Sequence, residues 1–118
     1  MVQIAPGWEL DVERRREWLL VRVRRLGQDA VHDPPLAEEA WRLLQQHRLC
    51  QLVVELDQIE VLTSFLIGQL ILLQKRICAS SGALRLCGLS PPNLQAIRLC
   101  CLEGHLPHFH DREEATAQ

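Results

Sequence analysis

Residues 51–88 read QLVVELDQIEVLTSFLIGQLILLQKRICASSGALRLCG, and the reading of this stretch decides the fold. Leu52, Val53, Val54 and Leu56 form a short apolar run that ends in acidic and polar residues. That is the pattern of a strand covered on both faces. Thr63 and Ser64 then supply hydroxyls where the next helix must begin, a favoured place for a side chain that caps free backbone N–H groups. Gly82 closes the helix, and residues 83–87 alternate apolar positions with Arg85. The unit is β-α-β, and the exposed mouth of its first turn is where such folds place their working residues.

Outward from this unit, the N-terminal side predicts a hairpin. Residues 8–12 alternate apolar and acidic side chains, 18–23 form a stronger strand, and 13–17 make a charged tip without an Asn-Gly signal. Residues 27–35 read as the one loop of any length. Pro34 and Pro35 open a helix over 36–47, with Leu36, Ala40, Leu43 and Leu44 on one face. On the C-terminal side, Ser90-Pro91-Pro92 starts a helix carrying Leu94, Ile97 and Cys101 at helical spacing. A short segment around His108 and Phe109 and a last helix from Asp111 complete the chain. With strands over 50–57 and 84–87 and a helix over 64–80, the order predicts an α/β fold. It would be one mixed sheet, an antiparallel opening hairpin followed by parallel strands, with about four helices on it.

The totals bound the function. A chain of 118 residues is expected to form a single domain, 1–118, with a real core. A net charge of −2 gives no field to attract nucleic acid or anionic lipid. The arginines at 14–16, 22, 24 and 25 lack aromatic partners for stacking bases, since the chain has no Tyr and only 2 Phe. Arg22 and Arg24 read instead as a solvated stripe on the hairpin. The apolar stretch at 59–73 is broken by Glu60, Thr63, Ser64, Gly68 and Gln69, so no membrane span is expected. Residues 1–16 carry no apolar core of signal-peptide length. The five cysteines (Cys50, Cys78, Cys87, Cys100, Cys101) lack framework spacing and read as reduced and mostly buried, in a cytoplasmic protein.

Candidate sites are few. The tail CCLEGHLPHFH at 100–110 holds two Cys and three His, ligand types that zinc would use, but without paired C-x₂₋₄-C or H-x₃₋₅-H spacing. Adjacent Cys100 and Cys101 would point about 100° apart on a helix. Solvated histidines (His108 and His110 sharing a strand face, Phe109 turned inward) beside a buried Cys101 are the expected arrangement, with no metal. Asp57 and Glu60 read as the polar end of a strand, with a paired acid site as the alternative. Cys50 and Cys87 read as small core residues. No nucleophile elbow, Gly-rich phosphate loop or C-x-x-C pair appears, so neither catalysis nor a cofactor is expected.

From Trp18 onward the chain resembles the STAS domain, the module of anti-sigma-factor antagonists and of sulfate-transporter tails. The resemblance rests on VVELDQIEVLTSFLIGQLILL, on GALRLCGLSP and on the ending LPHFHDREEATA. The family places a D-S-S-G-L-G turn before its second helix, a G-x-L-x-L-x-G-L strand, and a Phe-containing strand with an acidic, Ala-rich helix at the end. The opening hairpin fits as well. The match covers about five-sixths of the chain in element order.

The departure from the motif matters as much as the match. With Gly68 on the last Gly of D-S-S-G-L-G, Thr63 takes the Asp, Ser64 the first Ser and Phe65 the second. That second Ser is the residue an anti-sigma kinase phosphorylates in partner switching, and Phe65 has no hydroxyl to accept phosphate. Leu66 replaces a Gly whose small size leaves the helix start open. Ser64 is the remaining candidate phosphosite, with helix capping by Thr63 or Ser64 as the plainer role. Phe65, Leu66, Ile67, Leu70, Ile71, Leu72 and Leu73 cover more than the roughly 100° stripe a docked helix needs. The resemblance thus implies a non-enzymatic regulatory domain of bacterial transcription control. It would bind an anti-sigma factor, a kinase-like protein or another regulator through Thr63, Ser64, Phe65, Leu66 and Gly68. A small-ligand or nucleotide-sensing STAS module is the alternative, and a Cys/His metal domain the more distant one. The oligomeric state is left open.

Overall fold

The computed structural model describes residues 1–27, 30, 31, 33–102 and 104–117. In chain order its elements are β1 (Val2–Ala5), β2 (Trp8–Arg15), β3 (Trp18–Arg25), α1 (Leu36–His47), β4 (Gln51–Glu55) and α2 (Ser64–Ala79). These are followed by β5 (Ala83–Cys87), α3 (Pro91–Leu99), β6 (His108–Phe109) and α4 (Arg112–Thr116). All the strands join one sheet in the order β1-β2-β3-β4-β5-β6. The first three pair antiparallel and β3 to β6 pair parallel. The expected mixed sheet is therefore present, with four helices among the described residues.

The pairing register sorts the side chains into two faces. Leu19, Leu52 and Leu84 lie in one row across β3, β4 and β5, and Val21, Val54 and Leu86 in another. Side chains in these rows point to the face covered by α1, α2 and α3, whose Leu44, Leu70, Leu73, Ile77 and Ile97 complete the main core. Intervening rows put Trp18, Leu20, Val53 and Cys87 on the opposite face, where they form a smaller core with Ala115 of α4. So β4 is covered on both faces, as its unbroken apolar run requires. Glycine matters most where α2 gives way to β5. A Cβ on Gly82 would run into the carbonyl oxygen of Cys50, at the start of the neighbouring strand.

Several expectations need correction. Strand β1 was not anticipated, although Val2 and Ile4 alternate with polar Gln3 and a Pro6-Gly7 turn follows. The cysteines are not mostly buried: Cys50, Cys78, Cys100 and Cys101 are exposed, and Cys87 alone of the five is in the core. Cys50 precedes β4, so only its carbonyl is used, accepting the Ala83 N–H at 3.1 Å. Cys101 lies past the end of α3 with a left-handed φ of 57°, which removes it from the helical face that would have buried it. In the loop at 27–35, Gln28, Asp29 and His32 lie outside the described residues, as does Glu103 of the Cys/His tail.

Candidate functional site

The mouth of the β4–α2 connection is built by the loop that leaves the buried strand. Leu56 donates its N–H to the Cys87 carbonyl at 3.0 Å, extending the sheet pairing by one residue, and Ile59 then turns back onto Leu56. The side chain that fixes the rest comes from α3. Asn93 is 3% exposed. Its Oδ1 accepts the Leu62 N–H at 2.8 Å and its Nδ2 donates to the Ile59 carbonyl at 2.9 Å. Both orphan backbone groups of the loop are thereby satisfied from one carboxamide. Asn93 is itself placed by Ser90, whose Oγ caps the start of α3.

Next comes the helix start. Thr63 is the N-cap of α2, and its Oγ1 accepts the Leu66 N–H at 3.2 Å. The plainer role considered for this hydroxyl is therefore the one it performs. Thr63 and Ser64 are exposed, Phe65 is half-buried beside α1, and Gly68 is half-buried with open space where a Cβ would stand. Leu66 does not join them. At 2% exposure it belongs to the main core, because the residue three beyond the cap turns down onto the sheet. It cannot serve as the exposed anchor expected of it. Ahead of the turn, Val61 is 68% exposed, an apolar side chain that the sequence reading passed over.

The surplus of apolar residues on α2 resolves into three groups. Leu66, Ile67, Leu70, Leu73 and Ile77 are buried. Phe65 and Leu72 line a groove shared with α1, and Ile71 faces Leu102 and Leu106 on the other flank. A separate cleft of about 340 Å³ opens beside the cap, lined by Trp8, Arg25, Val31, Ile59, Val61 and Thr63 among others.

The opposite face carries a charged cluster that sequence reasoning missed. Glu55, at the end of β4, is 2% exposed. Arg112 of α4 grips it with two bonds, Nε to Oε1 at 2.5 Å and Nη2 to Oε2 at 2.9 Å, and Arg22 approaches Oε2 at 3.0 Å. Arg112 also reaches Glu13 at 2.9 Å and Arg22 reaches Asp57 at 3.1 Å. Hydrogen bonding to Arg112 lowers the pKa of Glu13, and hydrogen bonding to Glu55 raises that of Arg112. Cys87 sits beneath this cluster, and burial, with Glu55 and Asp57 adding to it, pushes its thiol up to about 12. These ion pairs fasten α4 to the sheet, and Arg22, Glu55, Asp57 and Arg112 line a cleft of about 300 Å³ together with His110, Asp111 and Glu113. Arg22 is thus an ion-pairing residue and not merely part of a solvated stripe.

Of the Cys/His tail, Cys100, Cys101, His105 and His110 are exposed and His108 is half-buried. Among the described residues no three His, Cys, Asp or Glu side chains converge as metal ligands, and no helix is long and apolar enough to cross a membrane.

Comparison with solved structures places the fold. No protein-family model matches the sequence, nor does any curated protein. The chain superposes on the protein TM1081 of Thermotoga maritima with a TM-score of 0.73 at 13% identity, covering 88% of this chain and 82% of that one. The fold is that of the STAS domain. An RsbS variant from Moorella thermoacetica gives a TM-score of 0.72 at 14% identity, with 89% of each chain covered. An anti-sigma-factor antagonist (STAS) domain protein from Planctomyces limnophilus gives 0.66 at 18%, covering 90% of this chain and 93% of that one. At such identities the likeness is one of fold. In the STAS fold seen here, the Thr63–Ser64 turn stands at the C-terminal mouth of β4, where the sequence pattern put it.

Proposed function

We propose that this chain is a non-enzymatic regulatory domain that binds a protein partner through the turn and helix start at residues 63–68. The observation that carries the reading is the build of that turn: a loop pinned from beneath by Asn93 and capped by Thr63, with Ser64 exposed and Phe65 and Gly68 half-exposed. A surface held rigid before contact loses little conformational entropy on binding. Solved proteins of the same fold are described as anti-sigma-factor antagonists, which supports a partner of the anti-sigma or kinase-like class and a place in bacterial transcription control in the cytoplasm.

Regulation at the turn would differ from partner switching by a phosphorylated second Ser. Phe65 holds that place in the motif register and offers no hydroxyl. Ser64 is the remaining acceptor. A phosphate there would sit at the N-terminus of α2, where the free N–H groups favour an anion, and would add charge in the midst of Val61 and Phe65. Incubation with an anti-sigma kinase followed by intact-mass measurement tests this. The reading expects no stoichiometric phosphate on the wild-type chain, and stoichiometric phosphate on Ser64 would overturn it.

The cleft of about 340 Å³ beside Thr63 favours a second reading, a domain that senses a small ligand. Its one arginine, Arg25, lies 5.8 Å from the Trp8 ring, and Glu60 shares the rim. That lining suits a neutral, partly apolar ligand better than a nucleotide phosphate. A thermal-shift screen with nucleotides and neutral metabolites separates the two readings.

A further inference from the structure

The groove between α1 and α2 has a volume of about 780 Å³ and an apolar floor of Trp41, Phe65 and Leu72. Leu72 is 55% exposed and lies beside the half-buried Trp41 and Phe65, so the three form one apolar patch. The two helices run in the same direction, because each returns the chain between parallel strands. Gln69 Oε1 accepts the Ala37 N–H at 3.0 Å near their starts, and the Arg76 guanidinium lies 5.3 Å from the Trp41 ring further along. Charge changes sign along the groove: Asp33 and Glu38 lie where the helices begin, while Arg42, one turn beyond Glu38 and ion-paired to Glu39 at 3.2 Å, and Arg76, near the end of α2, lie further along.

These features select the occupant. Both walls are helices, whose backbone groups are already paired, so the groove has no strand edge to offer. An extended peptide would leave its own N–H and C=O groups unpaired over the apolar floor, whereas a helix pairs its own. From Phe65 to Arg76 the groove runs about 16 Å at a rise of about 1.5 Å per residue, the length of three helical turns. Polarity follows from the dipole. A helix is favoured with acidic residues in its first turn and basic residues in its last. To set those acids on Arg42 and Arg76, it must enter at the C-terminal ends of α1 and α2. We propose that the groove takes an amphipathic helix of the protein partner, antiparallel to α1 and α2, with acidic residues first, an apolar stripe on Trp41, Phe65 and Leu72, and basic residues last against Asp33 and Glu38. A second copy of the chain fits less well, since a face of about 16 Å by 10 Å is far short of the roughly 800 Å² each partner buries in a stable dimer. The proposal rests on the partner-binding reading above, with which it shares Phe65.

A phage-displayed library of helix-templated peptides about three turns long, with apolar residues fixed at i, i+3, i+4 and i+7 and the rest randomised, tests this when selected on the wild-type chain. Peptides that are acidic in the first turn and basic in the last should be enriched, and should bind Leu72→Ser at least about tenfold more weakly. On a chain carrying Glu38→Arg and Arg76→Glu each end of the groove holds one charge of each sign, so the preference for charge order should vanish while the apolar stripe is still selected. On the wild-type chain, enrichment without charge order, no enrichment, or binders indifferent to Leu72→Ser would each overturn the proposal. So would light scattering that shows a dimer dispersed by Leu72→Ser, because a second copy would then hold the groove. Ser64→Asp separates this proposal from the broader reading. Peptide selection that survives Ser64→Asp, while capture of the native partner does not, upholds both. Capture lost with Ser64→Asp but unmoved by Leu72→Ser overturns the groove alone.

Discussion

Replacing Asn93 with Ala removes the carboxamide that holds the site loop. Two backbone groups, the Leu62 N–H and the Ile59 C=O, lose their partners in a place that is 3% exposed at Asn93 itself. Each buried polar group left unpaired costs about 1–3 kcal/mol, so the pair, with some relaxation toward water, comes to about 2–4 kcal/mol. For a chain of this length that is a fall of about 8–16 °C in melting temperature. Circular dichroism gives the melt. Amide hydrogen exchange then localises the effect, with protection falling at Leu62 and Leu66 and holding at Val53 and Val54 in β4. Asn93→Asp keeps an acceptor for Leu62 but sets a buried carboxylate oxygen against the Ile59 carbonyl, so at neutral pH its melt should fall at least as far as that of Asn93→Ala. A melt within about 2 °C of wild type, or a uniform loss of protection across the sheet, would refute the idea that this one side chain organises the turn.

Other substitutions probe separate links. Phe65→Ser should lower stability by about 1 kcal/mol, because the ring is half-buried at a groove edge; a loss near the 3 kcal/mol or more of a core Phe would make it structural and end its role as an anchor. Gly82→Ala drives a Cβ into the Cys50 carbonyl oxygen and should cost at least about 2 kcal/mol in urea unfolding; an unchanged midpoint would mean the α2–β5 junction yields freely. Arg112→Met leaves buried Glu55 with Arg22 alone and should destabilise by about 3 kcal/mol, while adding Glu55→Gln should recover part of that; strict additivity would deny their coupling. The Cys87 thiol has a folded pKa of about 12 against an ordinary 9.0. Between those values the unfolded chain releases the proton and the folded chain keeps it, so stability should fall as pH rises through that window. Cys87→Ala should flatten the alkaline slope of the melting temperature, and an identical slope would count against the shift.

Much of this architecture was legible because local signals agreed with the fold. The apolar run at 52–56, the Pro-Pro and Ser-Pro-Pro helix starts and the hydroxyl at Thr63 each state a local requirement, and the sheet satisfies all of them. What escaped notice depends on contacts distant in sequence. Nothing around Glu55 announces Arg112, which lies 57 residues away, and an acidic residue at a strand end ordinarily reads as solvent-facing. Asn93 in a helix reads as a weak helix former until the loop 31 residues earlier is seen to need it. Leu66 failed as an exposed anchor for a simpler reason. A surplus of apolar residues shows that some must be uncovered, but only the rotation of α2 on its sheet decides which. That rotation spared Leu72 and part of Phe65 and buried Leu66. Cys50 and Cys101 lie outside their elements, one residue before β4 and two past the end of α3, and so escape the face that would have buried them.

The central claim is that the turn at 63–68 meets a protein partner and that no phosphate at the position of Phe65 controls the encounter. Its most direct test is affinity capture from cells of the source organism with three baits: the wild-type chain, Ser64→Asp, and Gln46→Asp, an exposed residue on α1. Quantitative mass spectrometry of the captured proteins, with intact mass of the bait itself, reads the outcome. The account predicts one regulatory protein retained by wild type and Gln46→Asp, reduced at least about tenfold with Ser64→Asp, and bound by a bait that carries no phosphate. A partner held equally by all three baits, or held only when the wild-type bait is phosphorylated, would contradict it.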